Sequence, residues 1–289
     1  YFLNKDLFLY FFISVFFCYN QKNDKNRINL EMDKQIADLI KKEEKRQSET
    51  LALIPSENYP SPAVREVLSS IFVAKYAEGR PFKRYYGGMA VVDELETLVE
   101  RRALKLFGLN SGKWAVNVQP YSGSPANYAI LRGLVQPGEK IMGLVLSHGG
   151  HLTHGHPMSA SGMDFKVINY FLDKRTHLLD YPEIEKLAKK EKPKLIICGY
   201  TAYPRKIDFK RFSQIAKKAG AYLLADIAHI AGLIVAGVHP SPFPWADVVM
   251  TTTHKTLRGP RGAMIICRKE LEEKIFLKVF PGLQGGPHD

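Results

Sequence analysis

Cysteine is scarce. Three residues, Cys18, Cys198 and Cys267, stand far apart in 289, with no metal-ligand spacing, and a reducing compartment fits. Cys198 and Cys267 end apolar runs and read as buried small hydrophobes. Acidic residues are also few: 29 Asp and Glu face 41 Lys and Arg, a net charge of +12. Such an excess suits a nucleic acid or a small polyanion. The lysines are scattered, however, as in Lys41-Lys42, Lys189-Lys190 and Lys217-Lys218. Without a basic stripe interleaved with aromatics, no dedicated nucleic-acid site is expected. Long apolar runs are missing too. The run at 7–19 is shorter than the ~20 residues that span a bilayer. A polar stretch at 20–27 follows it, not a small-residue cleavage site. We expect Met32 to be the natural start and 1–31 to be translated upstream sequence; a membrane anchor is the alternative. No membrane association is expected otherwise, and the location expected is cytoplasmic.

Ordinary contents of 45% hydrophobic and 24% charged residues point to a soluble globular chain. Ile36, Leu39 and Ile40 predict a helix over 33–48. Ser61-Pro62 is an N-cap and first-turn proline, opening a helix with Val64, Val67, Leu68 and Ile71 on one face. The stretch 75–88 has no period but is dense in Tyr, Glu, Arg and Gly, as functional loops are. A helix is expected over 93–107, with Leu95, Leu98, Val99, Ala103 and Leu106 on one side and Gly108 at its end. Strands are expected at 114–118, 140–146, 165–169, 194–198, 221–225, 247–250 and 263–267. Helices are expected from about 123 to 135, after Asp180, and over 208–219. Near-continuous apolar strands alternating with helices mean a largely parallel sheet covered on both faces. Such sheets bind ligands beyond the carboxyl ends of their strands.

Several motifs fall at those ends. Ser122-Gly123-Ser124 joins a strand to a helix N-terminus, where backbone N–H groups and the helix dipole favour phosphate. It lacks the Gly-Lys-Ser/Thr ending of a Walker loop. His148, His151, His154 and His156 crowd one loop; no acidic ligand sits among them, so stacking on a planar ligand fits better than a metal. Asp226 ends a strand. Lys255 follows Thr251-Thr252-Thr253-His254 and precedes Arg258 and Arg261, in a carboxylate-poor setting suited to an amine nucleophile. A phosphate cup, a stacking histidine, a buried carboxylate and a lysine together are what pyridoxal phosphate (PLP) requires.

Longer motifs carry a resemblance. They include Ser56-Glu57-Asn58, Lys75-Tyr76-Ala77-Glu78-Gly79, Arg84-Tyr85-Tyr86-Gly87-Gly88, Asn117-Val118-Gln119-Pro120, His148-Gly149-Gly150-His151-Leu152-Thr153-His154-Gly155, Asp226-Ile227-Ala228-His229, Thr251-Thr252-Thr253-His254-Lys255 and Gln284-Gly285-Gly286-Pro287. From about Met32 onward the chain resembles the serine hydroxymethyltransferases. The resemblance implies a PLP-dependent transferase of fold type I: an α/β large domain with a mostly parallel sheet covered by helices. The implied reaction interconverts serine and glycine with tetrahydrofolate as co-substrate. On this view 1–31 lies outside the family, 32–80 is an N-terminal helical arm, and 81–289 is the PLP-binding large domain.

The resemblance also implies roles. Lys255 would form the Schiff base, Asp226 pair with the ring nitrogen and His151 stack on the ring. His229 and Thr201 would lie near the phenolic oxygen, with Thr201 standing where the family usually has serine. Ser122, Gly123 and Ser124 would hold the phosphate, with His254 nearby. Glu78 would be the acid/base and Thr252 a proton-handling or gating hydroxyl. Ser56, Tyr86 and Arg261 would serve the substrate; Leu146, Gly150 and Leu152 would contact the folate. Tyr76 and Gly286 would reach the phosphate of a neighbouring subunit, so a homodimer or tetramer with shared sites is implied. The family continues into a small C-terminal domain bearing an arginine for the substrate carboxylate. The chain as given is therefore expected to bind PLP at best, with weak or no turnover. Two other readings stand beside this one: a folate-independent aldolase of β-hydroxy amino acids, and a non-catalytic RNA-binding protein.

Overall fold

The structure, a computed structural model, describes residues 33–288. The expectations for 1–31 and for a start at Met32 lie outside the described residues. The described residues divide into two units, with the boundary between Leu53 and Ile54. In the first, helix α1 (Lys34–Glu49) is capped by the Asp33 carboxylate, which accepts from the N–H groups of Gln35 and Ile36.

The second unit opens with α2 (Pro62–Leu68), capped by Ser61 Oγ on Val64 N–H, with proline in the first turn as expected. This helix stops before Ile71, which starts a separate 3-10 turn, Ile71–Ala74. The stretch without a period holds a small antiparallel hairpin, β1 (Gly79–Arg80) and β2 (Lys83–Arg84). Helix α3 (Ala90–Leu106) begins earlier than its apolar spacing predicts and buries a different face. Val92, Asp93, Glu96 and Ala103 point inward, whereas Val99 and Leu106 are exposed. The reason is the hairpin: Arg84 donates to Asp93 and Glu96, and Arg80 to Glu96 and Glu100. A charge-paired face is buried in place of an apolar one.

The main sheet has seven strands, in order β3-β9-β8-β7-β6-β4-β5. They are β3 (Trp114–Asn117), β4 (Lys140–Leu144), β5 (Lys166–Tyr170), β6 (Leu195–Cys198), β7 (Tyr222–Asp226), β8 (Val248–Thr252) and β9 (Ala263–Arg268). The pairs β4–β5, β4–β6, β6–β7 and β7–β8 are parallel. Strand β9 runs against both β8 and β3, because β8 turns straight back into it. The strand expected over 140–146 ends at Leu144, and the chain bends into a 3-10 turn, Leu146–His148.

Successive residues of β6 enter opposite cores. Ile196 and Cys198 pack with α6 (Tyr181–Glu191) and α7 (Phe209–Ala219), through Ile184, Phe209 and Phe212. Leu195 and Ile197 join α4 (Gly123–Leu134) and, at the far end of the chain, Ile275, Phe276 and Val279. Burial of each such side chain contributes ~1.5–3 kcal/mol. Burial on both faces is why this strand reads as a continuous apolar run. Both Cys198 and Cys267 are fully buried and unpaired. The remaining helices are α5 (Ala160–Asp164), α8 (Ala231–Val235) and α9 (Glu272–Val279). Among the described residues no helix is long and apolar enough to cross a membrane.

Candidate active site

Strand β7 delivers Asp226 to the carboxyl edge of the sheet, where it is 6% exposed. Its carboxylate accepts from Asn127 Nδ2 at 2.9 Å, His154 Nε2 at 2.9 Å and Ala228 N–H at 3.1 Å. Burial favours the neutral acid, but the hydrogen bond and charge of His154, then Asn127, prevail and hold Asp226 below the usual carboxylate range. Asn127 Nδ2 also donates to Thr153 Oγ1 at 2.8 Å, and Thr153 bonds His151 Nδ1 at 2.7 Å through the same hydroxyl. His151, His154 and Asp226 thus form one chain with the first turns of α4. Burial, then the neighbouring His154, lowers the His151 pKa.

Lys255 sits in the connection 253–262 between β8 and β9, half-buried. Its Nζ donates to His229 Nε2 at 3.1 Å. Burial pushes the lysine pKa down; Asp226 opposes this and Arg261 adds to it. His229 falls to about 4, first through burial and then through the Lys255 charge, so its ring is a neutral acceptor. His254 is lowered as well, by burial, Arg261 and Lys255. The turn is held by Thr253 Oγ1 on Pro260 O at 2.6 Å, and by Thr253 O accepting Gly259 N–H at 2.7 Å. Arg258 takes a left-handed φ of 56° there.

Around these groups the backbone closes in. A Cβ on Gly199, whose φ is +98°, would stand 1.8 Å from Asp226 O. Gly150 is buried under Leu144, whose carbonyl would lie 2.1 Å from an added Cβ. Gly123 opens α4 opposite Thr252: an added Cβ there would be 3.0 Å from Thr252 Cγ2. Ser122 is the N-cap of α4 but makes no side-chain cap bond, and Ser124 is exposed. Thr201 N–H donates to Gly149 O at 2.9 Å. The buried atoms Thr201 Oγ1, Thr252 Oγ1 and His254 Nδ1 have no partner in the protein. Leu146 and Leu152 are exposed on two 3-10 turns, and Arg261 is exposed beyond the lysine.

The remaining expected residues form a second group. Tyr86 OH accepts Glu78 N–H at 3.1 Å, and Gly286 lies beside Glu78, whose Cγ would be 3.4 Å from an added Cβ. Tyr121 OH donates to Gly286 O at 2.6 Å. Tyr76 is 64% exposed. Ser56 belongs to a turn whose neighbour Asn58 donates Nδ2 to Lys255 O at 2.8 Å, while Arg258 donates to Tyr59 O.

Asn127 and Asn58 were given no role from sequence, His154 was read only as one of four loop histidines, and Arg258 only as a cation beyond Lys255. Nothing in residue order says that side chains 99 and 72 positions from Asp226 reach it. Among the described residues, no group of three His, Cys, Asp or Glu side chains is placed to hold a metal ion.

A family model described as serine hydroxymethyltransferase matches residues 30–289. The chain belongs to the serine hydroxymethyltransferase family. It is 57% identical over 256 residues to the serine hydroxymethyltransferase of Prochlorococcus marinus, covering 88% of this chain and 61% of that protein. The Methanosarcina barkeri relative of the same name gives 57% over 256 residues, 88% and 61%. A Nostoc serine hydroxymethyltransferase gives 55% over 256 residues, 88% and 59%. The chain therefore spans about three fifths of the length of these curated relatives. Membership in this family, with its mixed, mostly parallel sheet, matches the fold class expected of the sequence. It favours neither the folate-independent aldolase nor the RNA-binding reading.

Proposed function

We propose that this chain carries the PLP apparatus of a serine hydroxymethyltransferase, which moves the one-carbon unit of serine to tetrahydrofolate and leaves glycine. The observation that carries the reading is Lys255 Nζ on His229, with its pKa depressed, within electrostatic reach of the ionised Asp226. The unpartnered Thr201 Oγ1, Thr252 Oγ1 and His254 Nδ1 suit a polar ligand, so the residues present fit PLP. When bound, PLP supplies an amine-reactive aldehyde and a ring that draws electron density from a bond broken beside it.

The residues then divide the work. Lys255 is partly desolvated, which raises its neutral fraction and makes its amine available for covalent attachment of the cofactor. Neutral His229 accepts from Lys255 Nζ and orients it. Asp226, kept ionised by Asn127 and His154, holds a proton on any ring nitrogen placed against it. Thr153 fixes the orientation of the His151 ring, to which we assign stacking on a planar ligand. The N–H groups opening α4, with Ser122 and Ser124, hold an anionic tail, and the absence of a side chain at Gly123 lets it approach Thr252. Thr252 and Arg261 serve proton handling and the substrate side.

Glu78 holds and moves a proton at the substrate hydroxyl, with Ser56 and Tyr86 beside it. Leu146, Gly150 and Leu152 form the folate-facing wall. Tyr76 and Gly286 serve a neighbouring copy, so the working unit is a homodimer or larger. We keep 32–80 as an arm and 81–289 as the large domain of this assembly.

The test uses the full-length protein. Titration with PLP is expected to raise a visible absorption band that Lys255→Ala abolishes, and glycine formation from serine is expected to require tetrahydrofolate. A band unchanged by Lys255→Ala, or glycine formed equally without folate, refutes the reading. Glu78→Gln is expected to slow turnover by about 10²–10⁴-fold.

A further inference from the structure

The second group of site residues is tied to the first by one buried joint. Glu96, on α3, is 5% exposed. Its two oxygens accept from three donors: Arg80 Nη1 at 3.1 Å, Arg84 Nη2 at 2.6 Å and Gln119 Nε2 at 2.8 Å. Arg80 and Arg84 belong to the hairpin that follows Glu78. Arg84 Nη1 also donates to Ala77 O at 3.0 Å and Gly79 O at 2.7 Å, the carbonyls on either side of Glu78. Gln119 Nε2 reaches the same Gly79 O at 2.8 Å.

Gln119 is itself 2% exposed and stands three residues before Ser122. Its carbonyl accepts Gln284 Nε2 at 2.7 Å, and Gln284 Oε1 accepts Tyr121 N–H at 3.2 Å. Tyr121 OH then closes on Gly286 O. Three segments that share no strand, the hairpin, the 122–124 turn and the 284–286 loop, therefore meet at Glu96 and Gln119. Arg80 also pairs with Glu100 at 2.6 Å and Arg84 with Asp93 at 2.8 Å, and burial raises the Glu100 carboxyl to about 7. Glu96 is the carboxylate that both arginines share, and the one that also accepts from Gln119.

We infer that Glu96 and Gln119 are positioning residues: they hold the Glu78 hairpin, the 122–124 turn and the 284–286 loop in one frame, and act on the reaction through them. The inference rests on the reading of Glu78 as proton carrier and of 122–124 as anion cup. It goes further, in assigning a role to two side chains that touch neither ligand. A buried carboxylate with three donors confines each donor's rotamer, and each donor fixes the backbone that carries it.

In the full-length protein, Glu96→Gln keeps the shape but withdraws the shared charge. Its serine turnover is expected to fall at least tenfold with KM within threefold, and PLP to bind several-fold more weakly. Amide exchange is expected to accelerate over 76–86 and 119–124 while 209–219 stays as in the wild type. Gln119→Glu sets a second carboxyl against Glu96 and Gly79 O. Its deficit in turnover is expected to grow as pH rises and the introduced carboxyl ionises, a profile that mere loss of packing does not produce. Wild-type exchange in both segments overturns the inference, as does acceleration spread evenly into 209–219, or a deficit independent of pH. If Glu78→Gln retains full turnover, the reading of Glu78 fails, and the exchange and PLP-affinity results still decide this one.

Discussion

His229 and Lys255 show how two cations can share a partly buried corner: one of them stays neutral. The imidazole is pushed to about 4, below the ordinary value of 6.5, first by burial and then by Lys255. Between pH 6.5 and 4 the unfolded chain therefore binds a proton that the folded chain refuses. The contribution of His229 to stability is complete above pH 6.5 and is lost as pH falls toward 4. Because the ring is only about half-buried, solvent screening reduces the effect to roughly 1 kcal/mol. Melting temperatures taken from pH 7 down to pH 4 are expected to fall less steeply in His229→Asn than in the wild type. An identical slope would show that another group controls this range. His229 was visible in the sequence as part of Asp226-Ile227-Ala228-His229. Its neutrality was not, since it depends first on burial and then on a lysine 26 residues away.

The strand ends and helix starts have separate physical signatures. Helices α6 and α7 are each capped by an aspartate: Asp180 Oδ1 accepts Glu183 N–H at 3.0 Å, and Asp208 Oδ1 accepts Arg211 N–H at 2.9 Å. Both helix starts were legible to within a residue, with Asp208 read as the first helical residue where it is in fact the cap. Asp208→Ala is expected to cost ~1 kcal/mol, read as a lower denaturant midpoint with unchanged slope. Gly199 is a different kind of constraint. Its φ is +98°, and an added Cβ would collide with Asp226 O at 1.8 Å. Gly199→Ala is expected to destabilise by ~2–4 kcal/mol and to shift Asp226, seen as weaker PLP binding, whereas Asp208→Ala is expected to leave PLP binding as in the wild type. Helix α3 is the element that its spacing misrepresented. Leu95, Leu98, Val99 and Leu106 lie in helical register, yet Asp93 and Glu96 are the residues turned inward.

That inversion leaves an apolar surface on the second unit. A cavity of about 440 Å³ is lined by Phe72, Phe82, Val91, Leu95 and Leu98, together with Glu94, Thr97 and Arg101. Phe82 is 75% exposed and holds a left-handed φ of 62°, costly for a bulky residue. An apolar patch of this kind suits an interface between copies, in keeping with the proposed dimer. Val91 is 64% exposed in the first turn of α3, where a carboxylate favours the helix. Val91→Asp is therefore expected to leave the fold intact while shifting the full-length protein toward monomer in sedimentation velocity, with weaker PLP binding. A variant that sediments with the wild type would exclude this face from the interface.

Local signals were enough for the α/β architecture, the helix caps and the motifs by which the family is known. Periodicity, turn chemistry and motif order all act within a few residues. The buried face of α3, the reversed strand β9, the hairpin of Arg80 and Arg84, and the donors on Asp226 were decided only in the folded chain. The direction of β9 is set by backbone pairing with β3 and β8; the others depend on where a charged or polar side chain finds its partner. A buried charge takes the nearest satisfying group in space, as Asp226 takes Asn127 from 99 residues away and His154 from 72.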